Sequence, residues 1–295
     1  MPSGLYTEKQ CSSLDGLNLY YRTYGERDAK GTPVLCLAGL TRNSRDFDEL
    51  APHLSKDRYV ICPDYRGRGK SDHAPDFRSY SPENYVMDLA QILMAEQVPR
   101  VTVIGTSLGG LLGLAVSSFA PDTIAGLLLN DVGPDIGGDG EGRIMDLVGN
   151  DERYDSLEDA IVSAKKQLLD TYPDWTEDNW MTYARATFTY VAEDNNYGYS
   201  YDMRLRDALL EQIANNDRPD LWGMFEGVAD RPVMLVHGER SDVLDQSTID
   251  RMIEVKPDLR FVGVANRGHV PTLTEPHCLP DVLDFVRSLD ATASA

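Results

Sequence analysis

Val101-Thr102-Val103-Ile104-Gly105-Thr106-Ser107-Leu108-Gly109-Gly110-Leu111 decides how the chain is read. Four apolar or β-branched residues lead into a serine with glycine two places on either side, and residues 111–119 continue with helical character. Gly-x-Ser-x-Gly in a strand–turn–helix slot places serine on a sharp, strained turn, because the glycines let strand and helix approach closely. The turn lifts the hydroxyl above the carboxyl end of a sheet and points a helix N-terminus at it. Ser107 is therefore the candidate nucleophile.

Working outward, further apolar runs predict strands at residues 5–11, 17–24, 34–40, 59–62, 126–129, 233–236 and 260–264. Asp15-Gly16 supplies a turn between the first two. Helical patterns separate most of the others; the clearest opens at Ser81-Pro82, an N-cap followed by proline at the first helical position. Continuous apolar strands alternating with helices predict an α/β fold, a mostly parallel central sheet flanked by helices. The alternation stops near Pro134 and resumes near Arg231. Residues 1–134 and 231–295 are thus expected to form the core, and residues 135–230 a helical cap, or lid, inserted after the sixth strand. Within it, helices are expected at 157–169, 178–191 and 202–215.

A serine hydroxyl is a weak nucleophile and needs a base. Among five histidines, His53 falls in a helical stretch, His73 in a charged loop, and His277 after Pro276 at a helix entry. His237 opens a turn and reads as structural. His269, in Asn266-Arg267-Gly268-His269-Val270-Pro271, follows the last strand at the same sheet edge as Ser107 and is the candidate base. An acid must orient its other ring nitrogen. Asp242, in the turn Gly238-Glu239-Arg240-Ser241-Asp242 after the preceding strand, is the preferred candidate; Asp131 and Asp245 are the alternatives.

The chain order Ser107, Asp242, His269 is that of one hydrolase class. Pro63-Asp64-Tyr65-Arg66-Gly67-Arg68-Gly69-Lys70-Ser71-Asp72, Leu37-Ala38-Gly39-Leu40, the serine turn, residues 238–242 and Gly268-His269 together resemble the α/β-hydrolase superfamily over nearly the whole chain. The resemblance implies that the backbone N–H groups of Leu40 and Leu108 form an oxyanion hole. Ala38-Gly39 stands where the family usually has His-Gly, a change that leaves a backbone donor undisturbed. Relatives with an aspartate nucleophile, the haloalkane dehalogenases and epoxide hydrolases, are set aside by serine at 107. The glycine-rich insertion of carbon–carbon hydrolases is absent near Gly39, which ranks that chemistry behind ester cleavage.

The 295 residues carry 28 Lys and Arg against 48 Asp and Glu, a formal charge of −20. Such a field repels nucleic acid and anionic bilayers. No apolar run has the length of a membrane-spanning helix, and the first residues lack a basic start or apolar stretch, so a cytoplasmic protein is expected. Four cysteines are widely spaced; Cys36 and Cys62 read as buried hydrophobes. Gly67-Arg68-Gly69-Lys70-Ser71 mimics part of a phosphate loop, but Asp64 stands where that pattern needs glycine. No histidine–carboxylate cluster has metal-ligand spacing, so neither metal nor cofactor is expected.

Residues 135–230 hold 22 acidic and 8 basic residues, all three tryptophans and seven of fifteen tyrosines. Trp175 and Trp180 are expected to wall a pocket at low entropic cost. Arg42 and Arg45 follow Leu40 and are candidates to contact substrate, with ion pairing to Asp46 or Asp48 the alternative. The expected activity is serine-dependent hydrolysis of a small-to-medium, neutral carboxylic ester or lactone by a monomer or homodimer. Acyl transfer, perhydrolysis, carbon–carbon hydrolysis and ligand sensing with little turnover are the rivals.

Overall fold

Alternate residues of each central strand feed two separate cores. The computed structural model describes residues 5–135, 137, 142, 145, 148–215 and 219–290. Its main sheet is built from β1 Thr7–Ser12, β2 Asn18–Tyr24, β3 Gly31–Leu37, β4 Arg58–Pro63, β5 Val101–Thr106, β6 Ile124–Asn130, β9 Val233–Gly238 and β10 Arg260–Val264. A separate hairpin contains β7 Phe188–Val191 and β8 Asn196–Tyr199. The helices are α1 Ala51–Leu54, α2 Pro82–Ala95, α3 Leu108–Phe119, α4 Leu157–Leu168, α5 Glu177–Thr187, α6 Leu205–Ala214, α7 Leu221–Glu226, α8 Gln246–Val255 and α9 Leu279–Ser288. Leu35, Leu37, Val103, Leu127, Leu129 and Leu235 point to one face, against Leu89 and Ile92 of α2 and Leu112 and Val116 of α3. Val34, Cys36, Ile104, Leu128, Met234 and Val236 point to the other, against Val282, Phe285 and Val286 of α9. A two-residue period inside a continuous apolar run is what a sheet covered on both faces requires.

The strand order is β1-β2-β4-β3-β5-β6-β9-β10, antiparallel at the β1–β2 and β2–β4 pairs and parallel from β4 onward. From β3 the chain moves one way to β4 and then crosses back to β5 on the other side of β3. In open sheets of this kind ligands bind beyond the carboxyl ends of the strands, at such a switch point. The loops following β3 and β5 meet there.

The expected helix over 178–191 is shorter than its pattern suggested. Residues beyond Thr187 leave it as β7, because Phe188-Thr189-Tyr190-Val191 are aromatic or β-branched and find a partner strand. Phe188 pairs with Tyr199 and Tyr190 with Tyr197, and Asn195 adopts the left-handed backbone at the turn. Trp180, expected to wall a pocket, is instead enclosed in a small core of its own segment with Ala160, Ile161, Ala164, Tyr172, Ala184 and Phe188. Cys36 and Cys62 are fully enclosed, free thiols.

The loop following β4 is held by charge. Arg66, buried, donates from Nε and Nη2 to both oxygens of buried Asp88 at 2.7 Å, and from Nη1 and Nη2 to Asp15 at 2.9 and 3.0 Å. Removing one partner of a buried pair leaves the other uncompensated, so Asp88→Ala is expected to cost about 3 kcal/mol. The urea midpoint reads it; an unchanged midpoint would mean that half-exposed Asp15 alone neutralises Arg66.

Candidate active site

Ser107 sits at the end of β5 with φ +50° and ψ −118°, outside the range an L-residue ordinarily adopts. Two glycines make the turn possible. A Cβ on Gly105 would collide with the Gly109 carbonyl, and one on Gly109 with the carbonyl of Leu37. The Ser107 N–H donates to the Asn130 carbonyl of the neighbouring strand at 3.1 Å, fixing the turn to β6. Ser107 precedes α3, so the Leu108 N–H is among the unsatisfied donors at that helix start. Gly39 passes alongside: a Cβ there would lie 3.9 Å from Ser107 Cβ.

The Ser107 hydroxyl lies 3.0 Å from His269 Nε2, and His269 Nδ1 lies 2.8 Å from Asp131 Oδ2. The carboxylate on the imidazole is therefore Asp131's, correcting the expectation of Asp242. Asp131 follows β6, which lies beside β5, whereas Asp242 sits exposed in the turn after the more distant β9. The residue of that turn that reaches inward is Ser241, whose hydroxyl donates to Asp131 Oδ2 at 2.6 Å. Asp131 has φ +56° and is fully enclosed. Its Oδ1 also meets His237 Nδ1 at 2.9 Å and the Gly238 N–H at 3.0 Å. His237, read from the sequence as structural, thus shares the carboxylate with His269. Burial works to raise the Asp131 carboxyl, but the hydrogen bonds from His237, His269 and Ser241 outweigh it and hold it below the usual carboxylate range. An ionised carboxylate only accepts, so Nδ1 of His269 carries the proton, leaving Nε2 free to receive the hydroxyl hydrogen. Such a line of groups can activate a hydroxyl for attack.

Arg42 does not project a free guanidinium: Nε and Nη2 grip both oxygens of Asp46 at 2.9 and 2.5 Å, and Nη1 donates to Thr187 Oγ1 at 2.5 Å. Its Cζ lies 4.8 Å from the Tyr183 ring centre. Arg45 donates from Nε to Asn43 Oδ1 at 2.9 Å and from Nη1 to the Phe188 carbonyl, while its Nη2 is buried with no hydrogen-bond partner among the described residues. Trp175 stacks on Tyr172 with centres 3.7 Å apart and planes within 8°.

The segment between β6 and β9 grips the loops that carry these groups. Thr171 accepts from the Gly268 N–H at 3.1 Å, Tyr172 Oη donates to the Val270 carbonyl at 2.9 Å and accepts from the Val270 N–H, and Asp174 pairs with Arg267 at 2.5 Å. Asn43 donates to the Ala186 carbonyl at 2.9 Å, and residues 67 and 69 exchange backbone bonds with 202 and 200. Among the described residues no three His, Cys, Asp or Glu side chains are placed to hold a metal ion, and no helix is long and apolar enough to cross a membrane.

A family model of the alpha/beta hydrolase fold matches residues 32–276. The chain belongs to the alpha/beta-hydrolase superfamily. It is a hydrolase whose similar proteins include the 3-hydroxybutyrate-oligomer hydrolase of Cupriavidus necator, 32% identical over 274 residues that span 90% of this chain and 92% of the relative. The 2-(acetamidomethylene)succinate hydrolase of Mesorhizobium japonicum is 26% identical over 87% of this chain and 88% of its own. The crystal structure of an alpha/beta hydrolase from Novosphingobium aromaticivorans superposes with a TM-score of 0.89, at 36% identity and covering 96% of this chain and 99% of that one.

Proposed function

We propose that this hydrolase cleaves a small-to-medium, neutral carboxylic ester or lactone through an acyl-enzyme on Ser107. The observation that carries the reading is the 3.0 Å approach of Ser107 Oγ to His269 Nε2, with the opposite nitrogen held on an ionised carboxylate. His269 takes the hydroxyl proton as Oγ attacks the carbonyl carbon, and the Asp131 carboxylate stabilises the imidazolium that forms. The carbonyl oxygen, now negative, is received by the N–H groups of Leu40 and Leu108. His269 returns the proton to the departing alkoxide, the acyl group stays on Ser107, and a water deprotonated by His269 releases the acid. The segment 135–230 acts as a cap over this centre, held to the loops after β3, β4 and β10.

The name of the Cupriavidus relative directs the substrate toward esters joining hydroxy-acid units. Neutrality is supported by Arg42, whose charge Asp46 already occupies on both oxygens. Two measurements test the reading. A fluorophosphonate is expected to label Ser107 stoichiometrically by mass spectrometry and abolish turnover of p-nitrophenyl butyrate; labelling elsewhere would sink the nucleophile. The methyl ester of a 3-hydroxybutyrate dimer is expected to give a higher kcat/KM than the dimer's free acid. The opposite order, lost in Arg45→Ala, would make the substrate anionic and Arg45 its contact.

A further inference from the structure

Among the described residues three arginine side chains are fully enclosed: Arg58, Arg66 and Arg68. Arg58 meets Asp57 and Asp290, and Arg66 meets Asp15 and Asp88. Arg68 has no carboxylate partner among the described residues. Its Nη1 donates to the Arg66 carbonyl and to Tyr85 Oη, both at 2.8 Å, and its Nε to the Leu40 carbonyl at 2.9 Å. Nη2 is buried without a hydrogen-bond partner among the described residues. The rings of Tyr85, Tyr80 and Tyr65 stand 4.7, 5.6 and 5.9 Å from Cζ, so their faces offset part of the cost of enclosing the charge. An enclosed cation without an anion burdens stability, and rules of folding broken in this way mark functional places. Of the groups Arg68 holds, the one bordering Ser107 is the loop of Gly39 and Leu40.

We propose that Arg68 is a positioning residue for the carbonyl oxygen's binding site. Its charge-assisted bond to the Leu40 carbonyl fixes that residue's backbone, and with it the direction in which the Leu40 N–H points. Its uncancelled charge, in a medium of low polarisability, favours the negative oxygen that develops when Oγ bonds to the carbonyl carbon. The loop is itself anchored: the Gly69 N–H donates to the Ser200 carbonyl and the Asp202 N–H to that of Gly67, both at 2.8 Å, flanking a bridge between Arg68 and Tyr201. The inference rests on the reading of Leu40 N–H as an oxyanion donor. It stands apart from the nucleophile assignment, because an inactive Ser107→Ala with a fully active Arg68→Met would fail this inference alone.

The test compares wild type, Arg68→Met and Arg68→Lys, each titrated with diethyl p-nitrophenyl phosphate so that kcat refers to competent sites only. Arg68→Met is expected to lower kcat for p-nitrophenyl butyrate by about 10²-fold with KM within about threefold. The inhibition constant of a trifluoromethyl ketone, which forms an anionic adduct on serine, is expected to rise by the same factor. Arg68→Lys, which keeps the charge but loses the planar fork, is expected to lie between the two. A residue needed only for stability would reduce the titrated fraction and leave kcat per site unchanged, and that result overturns the proposal. A change confined to KM for carboxylate-bearing esters would also overturn it, making Arg68 a ligand contact. If Arg68→Met does not fold, Arg68→Lys carries the test: kcat and inhibitor affinity must fall together, and wild-type values for both would refute the role.

Discussion

Ser107→Ala is expected to reduce kcat/KM for p-nitrophenyl butyrate by about 10⁵-fold while leaving the melting temperature within a few degrees of wild type. The substitution removes one oxygen at a position whose backbone is set by Gly105, Gly109 and the bond to Asn130, none of which depends on the hydroxyl. What survives is the acceleration that the backbone donors and substrate binding give to direct attack by water, and in serine hydrolases such remnants are small. Circular dichroism alongside steady-state kinetics checks both halves. A folded Ser107→Ala enzyme with more than about a hundredth of the wild-type rate would be incompatible with an acyl-enzyme at this residue.

Asp131→Asn is expected to lower kcat/KM by about 10⁴-fold, and Asp242→Asn by less than about threefold. The carboxylate of Asp131 receives His269, His237, Ser241 and the Gly238 N–H, and it dictates which nitrogen of His269 carries the proton. An amide there can present N–H to Nδ1, and the imidazole then turns its own N–H toward Ser107, where a lone pair is needed. Equal losses in both variants would mean that the turn after β9 shares the role. Stability follows the same carboxylate. Its folded pKa lies below the unfolded value, so its contribution is present above the unfolded value of about 3.9 and is lost as pH falls through the lower folded one. Asp131→Asn is therefore expected to flatten the acid side of a melting-temperature profile.

The sheet, the serine turn and the placing of His269 beside Ser107 were legible because each rests on a local pattern. A two-residue apolar period, glycine spacing around Ser107 and a histidine just after a strand survive in one dimension. Which carboxylate meets His269 was not, because Asp131 and Asp242 both follow strands at the same edge. What separates them is that β6 lies next to β5, and strand order is a property of crossovers rather than of any run of residues. Left-handed Asp131 leaves no mark in the sequence either, since aspartate enters that region more readily than most residues. The contacts of Arg68 and Tyr172 were hidden for the same reason. Arg68 lies in a glycine-rich stretch whose likeness to a phosphate loop drew the reading away from its contact 28 residues back in the chain. Helical periodicity carried 178–191 past Thr187, because the aromatic pairs across the hairpin are made with residues beyond that window.

The grip of residues 171–174 on 267–270 bears on how this architecture can be recombined. Residues 171–174, about a hundred positions away in the chain, hold the histidine loop in place, through Tyr172 on Val270, Thr171 on Gly268 and Asp174 on Arg267. The excursion between β6 and β9 is thus not an interchangeable module on a self-sufficient scaffold. A chimaera that transplants a relative's excursion inherits that relative's fit to its own histidine loop. The smallest exchangeable unit joins both regions, and grafts that move residues 135–230 alone sever it.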